Sequence, residues 1–322
     1  MMRLAATSDD DPMLQESIES LKRSFHQSIS AAVLVSLSHK RYERRRLAAM
    51  EIEKVVRSLL HQGEVERVRA ILLLLSDDYV RSTSEDARKG GVVALAACAV
   101  GMKKAAEKEN PILQECRDLI LASVVHACQD HNQRVRYYAT ESLFNVVKIM
   151  PVLAIQHFFI LFEILRSLYA DVDVDVRSGA ELLDKKLKDV IVHAINSGTF
   201  TVEACVPVFA RFVYIRNKVS FEKCMRCGMY LNLGIGSDLI GAYSIQATKR
   251  LTLTWLQELS EKLVGAPILE FLHLFLSGIF DMIGDPTAAI RLSALAFLQS
   301  VLPKILVLNT DTPLEENRMA VD

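Results

Sequence analysis

Cys224 and Cys227 form the pair whose spacing most suggests metal or redox chemistry. A closed zinc site needs four ligands, and neither a second Cys pair nor a closely spaced His pair follows. A thioredoxin-type dithiol needs a βαβ context, which the surrounding sequence lacks. The first residues contain no apolar run of the kind found in secretory signals, so the six cysteines are interpreted as reduced thiols in the cytosol.

Two other strings match part of a known ligand-binding motif but lack its remaining residues. The glycine-rich string 234–241 has neither a preceding strand nor a P-loop lysine, so it is a poor nucleotide site. Asp171, Asp173 and Asp175 alternate like cation ligands, but the Gly and the final Glu of an EF-hand loop do not follow. We interpret this acidic turn as helix capping and solvation.

Catalytic patterns are missing from the rest of the sequence. The eight histidines are dispersed, and neither a G-x-S-x-G nor an H-E-x-x-H motif occurs. We therefore expect no catalytic, cofactor-binding or metal-binding residues, and a protein that is not an enzyme. The formal charge of -1 provides no general basic field, so nucleic acid is not an expected partner.

The densest basic run, residues 39–46, suits contact with an acidic protein or with an anionic membrane. The alternative is a solvated helix face or a set of structural arginines. Tyr137 and Tyr138 are either exposed interface anchors or side chains packed between helices, and packing is favoured. The full candidate interface comprises Lys40, Arg41, Arg44, Arg45, Arg88, Lys89, Tyr137, Tyr138, Lys185 and Lys186.

The elements that carry these residues are predicted by a phrase that occurs three times. It consists of Asp, four variable residues, Val or Ile, Arg, two more residues and Ala, and it begins at Asp130, Asp171 and Asp285. Recurrence with a period of about 40 residues is typical of stacked helical repeats of the HEAT type. Such solenoids usually serve as binding surfaces.

Each phrase is predicted to open the second helix of a repeat, with its Asp as the N-cap. The apolar residues that follow share one helical face. They are Val135, Ala139, Leu143, Val146 and Met150, then Val176, Ala180, Leu183, Leu187 and Val190, then Ile290, Ala294, Phe297 and Val301. We interpret the Asp and Arg residues as a structural ladder between neighbouring repeats, made of Asp130, Arg136, Asp171, Arg177, Arg250, Asp285 and Arg291.

The spacing of the arginines predicts the number of repeats. Fainter copies of the phrase lie at Arg46 and Arg88, and counting back 41 residues from Arg291 reaches Arg250. Six second helices are therefore expected, opening near residues 41, 85, 131, 172, 247 and 286. The interval from 177 to 250 is 73 residues, 32 more than 41, which predicts an insertion at about 217–243. A retained intron is an alternative origin for this insertion.

The predicted architecture is all-α, a HEAT-repeat solenoid of about six helix pairs stacked in a superhelix over residues 25–308. Segments 1–24 and 309–322 are expected to be disordered. The apolar stretch 268–283 is too short to span a bilayer comfortably and is interpreted as a buried helix. The last helix has no polar cap after it, so the sequence is interpreted as a fragment or a truncated gene model.

Four strings resemble the N-terminal repeats of the Vac-fourteen family, in that family's order. They are 40–57, 87–98, 134–148 and 175–189, and the resemblance extends over roughly residues 28 to 302. The resemblance implies a HEAT-repeat scaffold that holds together PIKfyve, the kinase making phosphatidylinositol 3,5-bisphosphate, and the opposing Sac-domain phosphatase.

In this family the N-terminal repeats serve the kinase, whereas the C-terminal half serves self-association and the phosphatase. The resemblance therefore implies kinase binding, peripheral association with endosome or vacuole membranes from the cytoplasm, and no cofactor. It puts phosphatase binding in doubt, because only the N-terminal half is matched. Two alternatives are a general HEAT-repeat transport or membrane-coat adaptor and a lipid-dependent enzyme regulated by the insertion.

Overall fold

The structure is a computed structural model that describes residues 29–105, 110–214 and 242–310. All regular structure in these ranges is helical, which confirms the all-α fold. The ends predicted to be disordered and the insertion at 217–243 lie outside these ranges, except that residues 242–243 and 309–310 are helical. The described residues fall into two compact units, 29–191 and a second made of 192–214 with 242–310.

The first unit contains four helix pairs, the last of which runs into the second unit. Its helices are α1 (Ala31–Leu37), α2 (Tyr42–Gln62), α3 (Val65–Leu74), α4 (Glu85–Met102), α5 (Pro111–Ala127), α6 (Gln133–Ile149), α7 (Pro151–Gln156), α8 (Phe158–Tyr169) and α9 (Val174–Asn196). A π-helical turn, Leu75–Val80, extends α3, and a 3-10 turn, Lys103–Ala105, follows α4.

These helices stack in two rows, as expected for HEAT repeats. Helices α2, α4 and α6 pack side by side in one row, while α3, α5 and α7 form the other. Helix α9 continues the first row, since a Cβ on Gly179 would lie 2.9 Å from the Thr140 methyl group of α6. Helices α1 and α4 approach even more closely, because a Cβ on Gly90 would meet the Leu37 carbonyl oxygen at 1.9 Å.

Local sequence explains where several of these helices begin and end. Ser84 and Asn110 accept hydrogen bonds from the first amides of α4 and α5, and Pro111 occupies a first-turn position where a missing N–H costs nothing. Helix α2 ends at Gly63, whose φ of 80° is the left-handed conformation that favours glycine.

The second unit contains two helix pairs. Its elements are the 3-10 turn Val202–Ala204, α10 (Val206–Val213), α11 (Ala242–Lys262), the 3-10 segment Pro267–Leu274, α12 (Leu276–Ile283) and α13 (Ala288–Thr310). Helix α11 packs on both α10 and α13. Trp255 at the centre of α11 is completely buried, and its ring lies 6.0 Å from that of Phe209.

The apolar positions predicted from the phrase are confirmed as core. All fourteen are buried, and Val190, the most exposed, retains 8% of its surface. The second helices begin at residues 42, 85, 133, 174, 242 and 288, close to the predicted starts. The predicted single helix over 268–283 is wrong: the stretch divides near Phe275 into a 3-10 segment and α12, and Phe280 is exposed.

Candidate functional site

Five arginines make the same contact at the start of a second helix. In each, Nη1 donates to the carbonyl oxygens six and five residues earlier, at distances between 2.6 and 3.2 Å. The five are Arg45, Arg88, Arg136, Arg177 and Arg291. The side chain therefore holds the turn that precedes its own helix.

Two of these arginines also hold a carboxylate of the following repeat. Arg88 donates to Asp130 at 2.7 and 3.2 Å, and Arg136 donates to Asp171 at 2.6 and 2.9 Å. All four side chains are largely buried. Hydrogen bonding to the Asp171 carboxylate, which accepts from Arg136, raises the pKa of the Arg136 guanidinium against the opposing effect of burial. These buried, two-point ion pairs are the rungs of a ladder within the first unit.

The first rung is incomplete. Arg45 has only 2% of its surface exposed, and its Nη1 lies 3.7 Å from Asp86. Its Nε finds no hydrogen-bond partner among the described residues. Arg46, which marked the fainter copy of the phrase, is exposed and lies 3.7 Å from Glu43. The arginine that belongs to the ladder in this repeat is therefore Arg45.

The second unit uses a different residue for its rung. Lys249 donates to Asp285 at 2.5 Å, and both side chains are buried. Burial, the largest single influence, raises the pKa of Asp285. Hydrogen bonds from Lys249 and from the Thr287 amide together outweigh burial and hold that pKa below its usual value. The prediction of Arg250 as a ladder residue is wrong, because its side chain is exposed and Lys249 makes the contact.

The predicted N-caps also require correction. The amides at the start of α6 are capped by Asn132, and those at the start of α9 by Asp173. Asp130 and Asp171 instead accept an amide two residues ahead and the arginine of the preceding repeat. Asp285 does the same with Thr287 and Lys249, since α13 begins only at Ala288. These three carboxylates therefore bind a side chain of the neighbouring repeat instead of capping their own helix.

Three members of the candidate interface are buried. Arg45, Arg88 and Lys89 retain 2%, 6% and 8% of their surface, and Lys89 pairs with Glu85 and Asp86 within its own helix. Their expected role in an exposed interface is therefore wrong: they are structural. Sequence reasoning could have detected this for Arg88, because a small residue, Gly91, follows it at the same distance as in the phrase.

The remaining charged members of the candidate interface lie in two places. Lys40, Arg41 and Arg44 surround the start of α2. Lys185 is exposed and Lys186 half-buried on α9. The three acidic residues around the start of α9 all have partners within the chain. Asp171 accepts from Arg136, Asp173 caps α9, and the half-exposed Asp175 pairs with Arg134 at 3.3 Å.

Tyr42, Tyr137 and Tyr138 form a tyrosine cluster across the first row of helices. Tyr138 stacks on Tyr42 with ring centres 5.6 Å apart. The ring of Tyr137 packs edge-on against that of Tyr138, with ring centres 5.4 Å apart. Arg45 lies over the Tyr138 ring and Arg134 over the Tyr137 ring, at 5.2 and 5.0 Å. Both Tyr137 and Tyr138 are half-buried. The cluster therefore connects α2 to α6 and still presents part of its aromatic surface.

Other sequence motifs fall outside this site. The Cys pair 224 and 227 and the glycine string 234–241 lie outside the described residues. Among the described side chains, no group of three His, Cys, Asp or Glu residues is arranged to hold a metal. By length and composition alone, Ala288–Leu306 of α13 could cross a bilayer, although the inner face of this helix packs on α11.

The family described as the Vacuolar 14 Fab1-binding region matches residues 86–189. This range begins in α4 and ends in α9, and it contains both two-point rungs of the ladder. The "Protein VAC14 homolog" of Arabidopsis thaliana is 30% identical to this chain over 86% of its length. The resemblance to the Vac-fourteen family is confirmed.

Two fungal relatives extend the same similarity. The VAC14 homolog of Schizosaccharomyces pombe is 27% identical over 80% of the chain, and vacuole morphology and inheritance protein 14 of Saccharomyces cerevisiae is 28% identical over 85%. The chain spans 31% to 32% of the length of these Vac-fourteen relatives.

Solved structures of designed armadillo repeat proteins also align with the chain. One, YIII(Dq)4CqI, is 12% identical, with 84% of this chain and 98% of that protein covered and a TM-score of 0.33. A second, designed for modular peptide recognition, is likewise 12% identical, with 83% and 98% covered and a TM-score of 0.35.

Proposed function

We propose that this chain is a non-catalytic scaffold that binds a lipid kinase of the Fab1 or PIKfyve type. The observation that carries the proposal is the match of residues 86–189 to a Fab1-binding region. This range lies in one compact unit, where helices α4 to α8 and most of α9 are held in register by the buried rungs. A rigid surface of this kind costs little conformational entropy to bind.

The proposed kinase contacts are the members of the candidate interface that lie within this range and are at least partly exposed. Once Arg88 and Lys89 are assigned to internal pairing, the candidate interface residues left within this range are the tyrosines of α6 and the lysines of α9. Tyr137 and Tyr138 offer partly exposed aromatic surface, and Lys185 and Lys186 offer positive charge. Tyrosine is enriched at the energetic centres of protein interfaces, so the cluster is the proposed anchor.

The scaffold works by raising effective concentration. A kinase held on the same assembly as the opposing Sac-type phosphatase meets its membrane substrate at a local concentration that free diffusion would not supply. We assign phosphatase contact to the C-terminal half of the Vac-fourteen family, which this chain does not match. The assembly acts peripherally on the cytoplasmic side of endosome or vacuole membranes and supports phosphatidylinositol 3,5-bisphosphate synthesis.

Affinity purification tests the proposal directly. The tagged chain, expressed in cells of its source, should recover a lipid kinase of the Fab1 type identified by mass spectrometry. The variant Lys185→Glu/Lys186→Glu should recover several-fold less, whereas Lys54→Glu/Arg57→Glu, a matched reversal outside residues 86–189, should recover as much as the unaltered chain. Absence of the kinase from the unaltered sample would refute the scaffold role.

A further inference from the structure

An open depression lies between α1 and the π-helical turn of the first unit. Its volume is about 640 Å³, and it is lined by Leu34, Val35, Ser38, His39, Lys40 and Tyr79. The Tyr79 hydroxyl donates to the Leu34 carbonyl oxygen at 3.1 Å, so its polar atom is already engaged within the chain. Val35 leaves 74% of its surface exposed. The depression therefore offers apolar surface to a ligand.

One cation, Lys40, lines this depression, and two more, Arg41 and Arg44, follow it in the sequence at the start of α2. All three are exposed, and none forms an ion pair with another described residue. Their neighbours differ, because Arg45 is buried in the ladder and Arg46 lies near Glu43. Lys40, Arg41 and Arg44 thus form an exposed basic cluster at the start of α2 that has no ion-pair partner among the described residues and adjoins the depression at Lys40.

These cations lie at a helix end that favours negative charge, where Glu43 is the acidic residue of the first turn. They surround the first turn of α2, where the helix dipole is positive and where Arg41, as N-cap residue, makes no side-chain cap. Positive side chains at this end of a helix are mildly destabilising, and an incoming carboxylate would interact favourably with both the side chains and the free amides.

We propose that this surface docks an acidic peptide segment of a partner protein, in which Asp or Glu residues flank one large apolar side chain. The apolar side chain fills the depression, and the carboxylates pair with Lys40, Arg41 and Arg44. A flat membrane surface would leave a concave depression empty, and a free phosphate would gain nothing from its apolar lining. The surface lies outside residues 86–189, so the proposal does not rest on the kinase contacts proposed within that range.

Selection from a random twelve-residue phage-displayed peptide library tests this proposal. The bait is the full chain, compared with three variants. Lys40→Glu/Arg41→Glu/Arg44→Glu reverses the charge, and Ser38→Trp fills the depression from an exposed position. Lys103→Glu/Lys104→Glu/Lys148→Glu makes the same charge change at other exposed lysines of the first unit. Circular dichroism confirms that each variant is folded.

The unaltered chain and the 103/104/148 variant should enrich peptides with carboxylates around a large apolar residue. Synthetic copies should lose affinity about tenfold or more on both other variants and also at high salt. Failure to enrich such peptides, or enrichment unaffected by charge reversal or by Ser38→Trp, overturns the proposal. Vesicles with 30% phosphatidylserine form a parallel arm. If charge reversal abolishes vesicle binding and Ser38→Trp does not, with no peptide enriched, the occupant is a membrane and the proposal fails.

Discussion

Arg136 grips both carboxylate oxygens of Asp171, with Nε 2.6 Å from one and Nη2 2.9 Å from the other. The same guanidinium donates through Nη1 to the turn before its own helix. One side chain therefore joins two successive repeats and closes its own turn. Because the pair is shielded from water, breaking it should cost far more than breaking a surface pair.

Removing Asp171 should expose this difference. Asp171→Ala leaves a buried guanidinium without its partner and is expected to destabilise the chain by about 3 kcal/mol or more. Removal of the half-exposed pair with Arg134→Ala/Asp175→Ala should cost no more than about 1 kcal/mol. Urea denaturation followed by circular dichroism measures both. Equal losses would show that the ladder contributes no more than surface charge.

Replacing the whole rung should be milder than replacing half of it. In Arg136→Met/Asp171→Ala no charge remains buried alone, so part of the stability lost in Asp171→Ala should return. A double-mutant cycle across the four proteins gives the coupling energy, which we expect to exceed about 1 kcal/mol for residues in direct contact. Additive effects would contradict the geometry.

Gly90 should tolerate no side chain. A Cβ there would lie 1.9 Å from the carbonyl oxygen of Leu37, and backbone of α1 must move to admit it. Gly90→Ala is expected to destabilise by about 1–3 kcal/mol, the usual range for overpacking. Gly284→Ala is the matched control, since its nearest contact would be an ordinary 3.5 Å. Thermal unfolding of both variants decides the matter.

The contribution of Asp285 should depend on pH. Its folded pKa lies below the unfolded value of about 3.9, so the ionised form stabilises the fold fully above that value. This stabilisation is lost as the pH falls through the folded pKa. The stability gap between the unaltered chain and Asp285→Asn should therefore be widest near pH 6 to 7 and shrink toward pH 3. Asp189→Asn, at an exposed site, should show no comparable trend.

The four described cysteines should be unreactive in the folded chain. Burial raises the pKa of Cys116 to about 12 and those of Cys98, Cys128 and Cys205 higher still, so the nucleophilic thiolate is scarce at neutral pH. In a Cys224→Ser/Cys227→Ser variant, Ellman's reagent at pH 8 should react slowly until urea is added. Rapid titration of several thiols would show that the repeats open readily.

Sequence reasoning identified the helices and their core because both depend on local regularity. The apolar positions after each Arg repeat every three or four residues, and every one of them is buried. The recurring Asp and Arg residues were interpreted as structural because they repeat with the helices and no catalytic motif accompanies them. The prediction of kinase binding, by contrast, came from four longer strings that resemble the Vac-fourteen family. The repeat period alone would not have given it.

Two of the errors concern ladder residues that have a neighbour of similar type. Arg45 and Arg46 are each followed by Ala three residues later, so spacing alone could not choose between them. For Lys249 and Arg250 the spacing does distinguish the two, because the residue three positions later is Thr252 for Lys249 and the bulkier Leu253 for Arg250. Arg88 carries a local signal, since Gly91 follows it three residues later, but burial of Lys89 depends on the side-by-side packing of α2, α4 and α6, a relationship between distant residues that the local pattern does not contain.

Lys249 contacts Asp285 through one nitrogen, whereas Arg88 and Arg136 each contact a carboxylate through two. A planar guanidinium fixes both the separation and the relative orientation of the groups that it joins, while an ammonium group fixes the separation alone. Helices α11 and α13 are thus held at a set distance without a set crossing angle at this contact. This one-point contact by itself leaves rotation between α11 and α13 unrestricted, whereas each two-point contact of the first unit restricts rotation between the repeats that it joins.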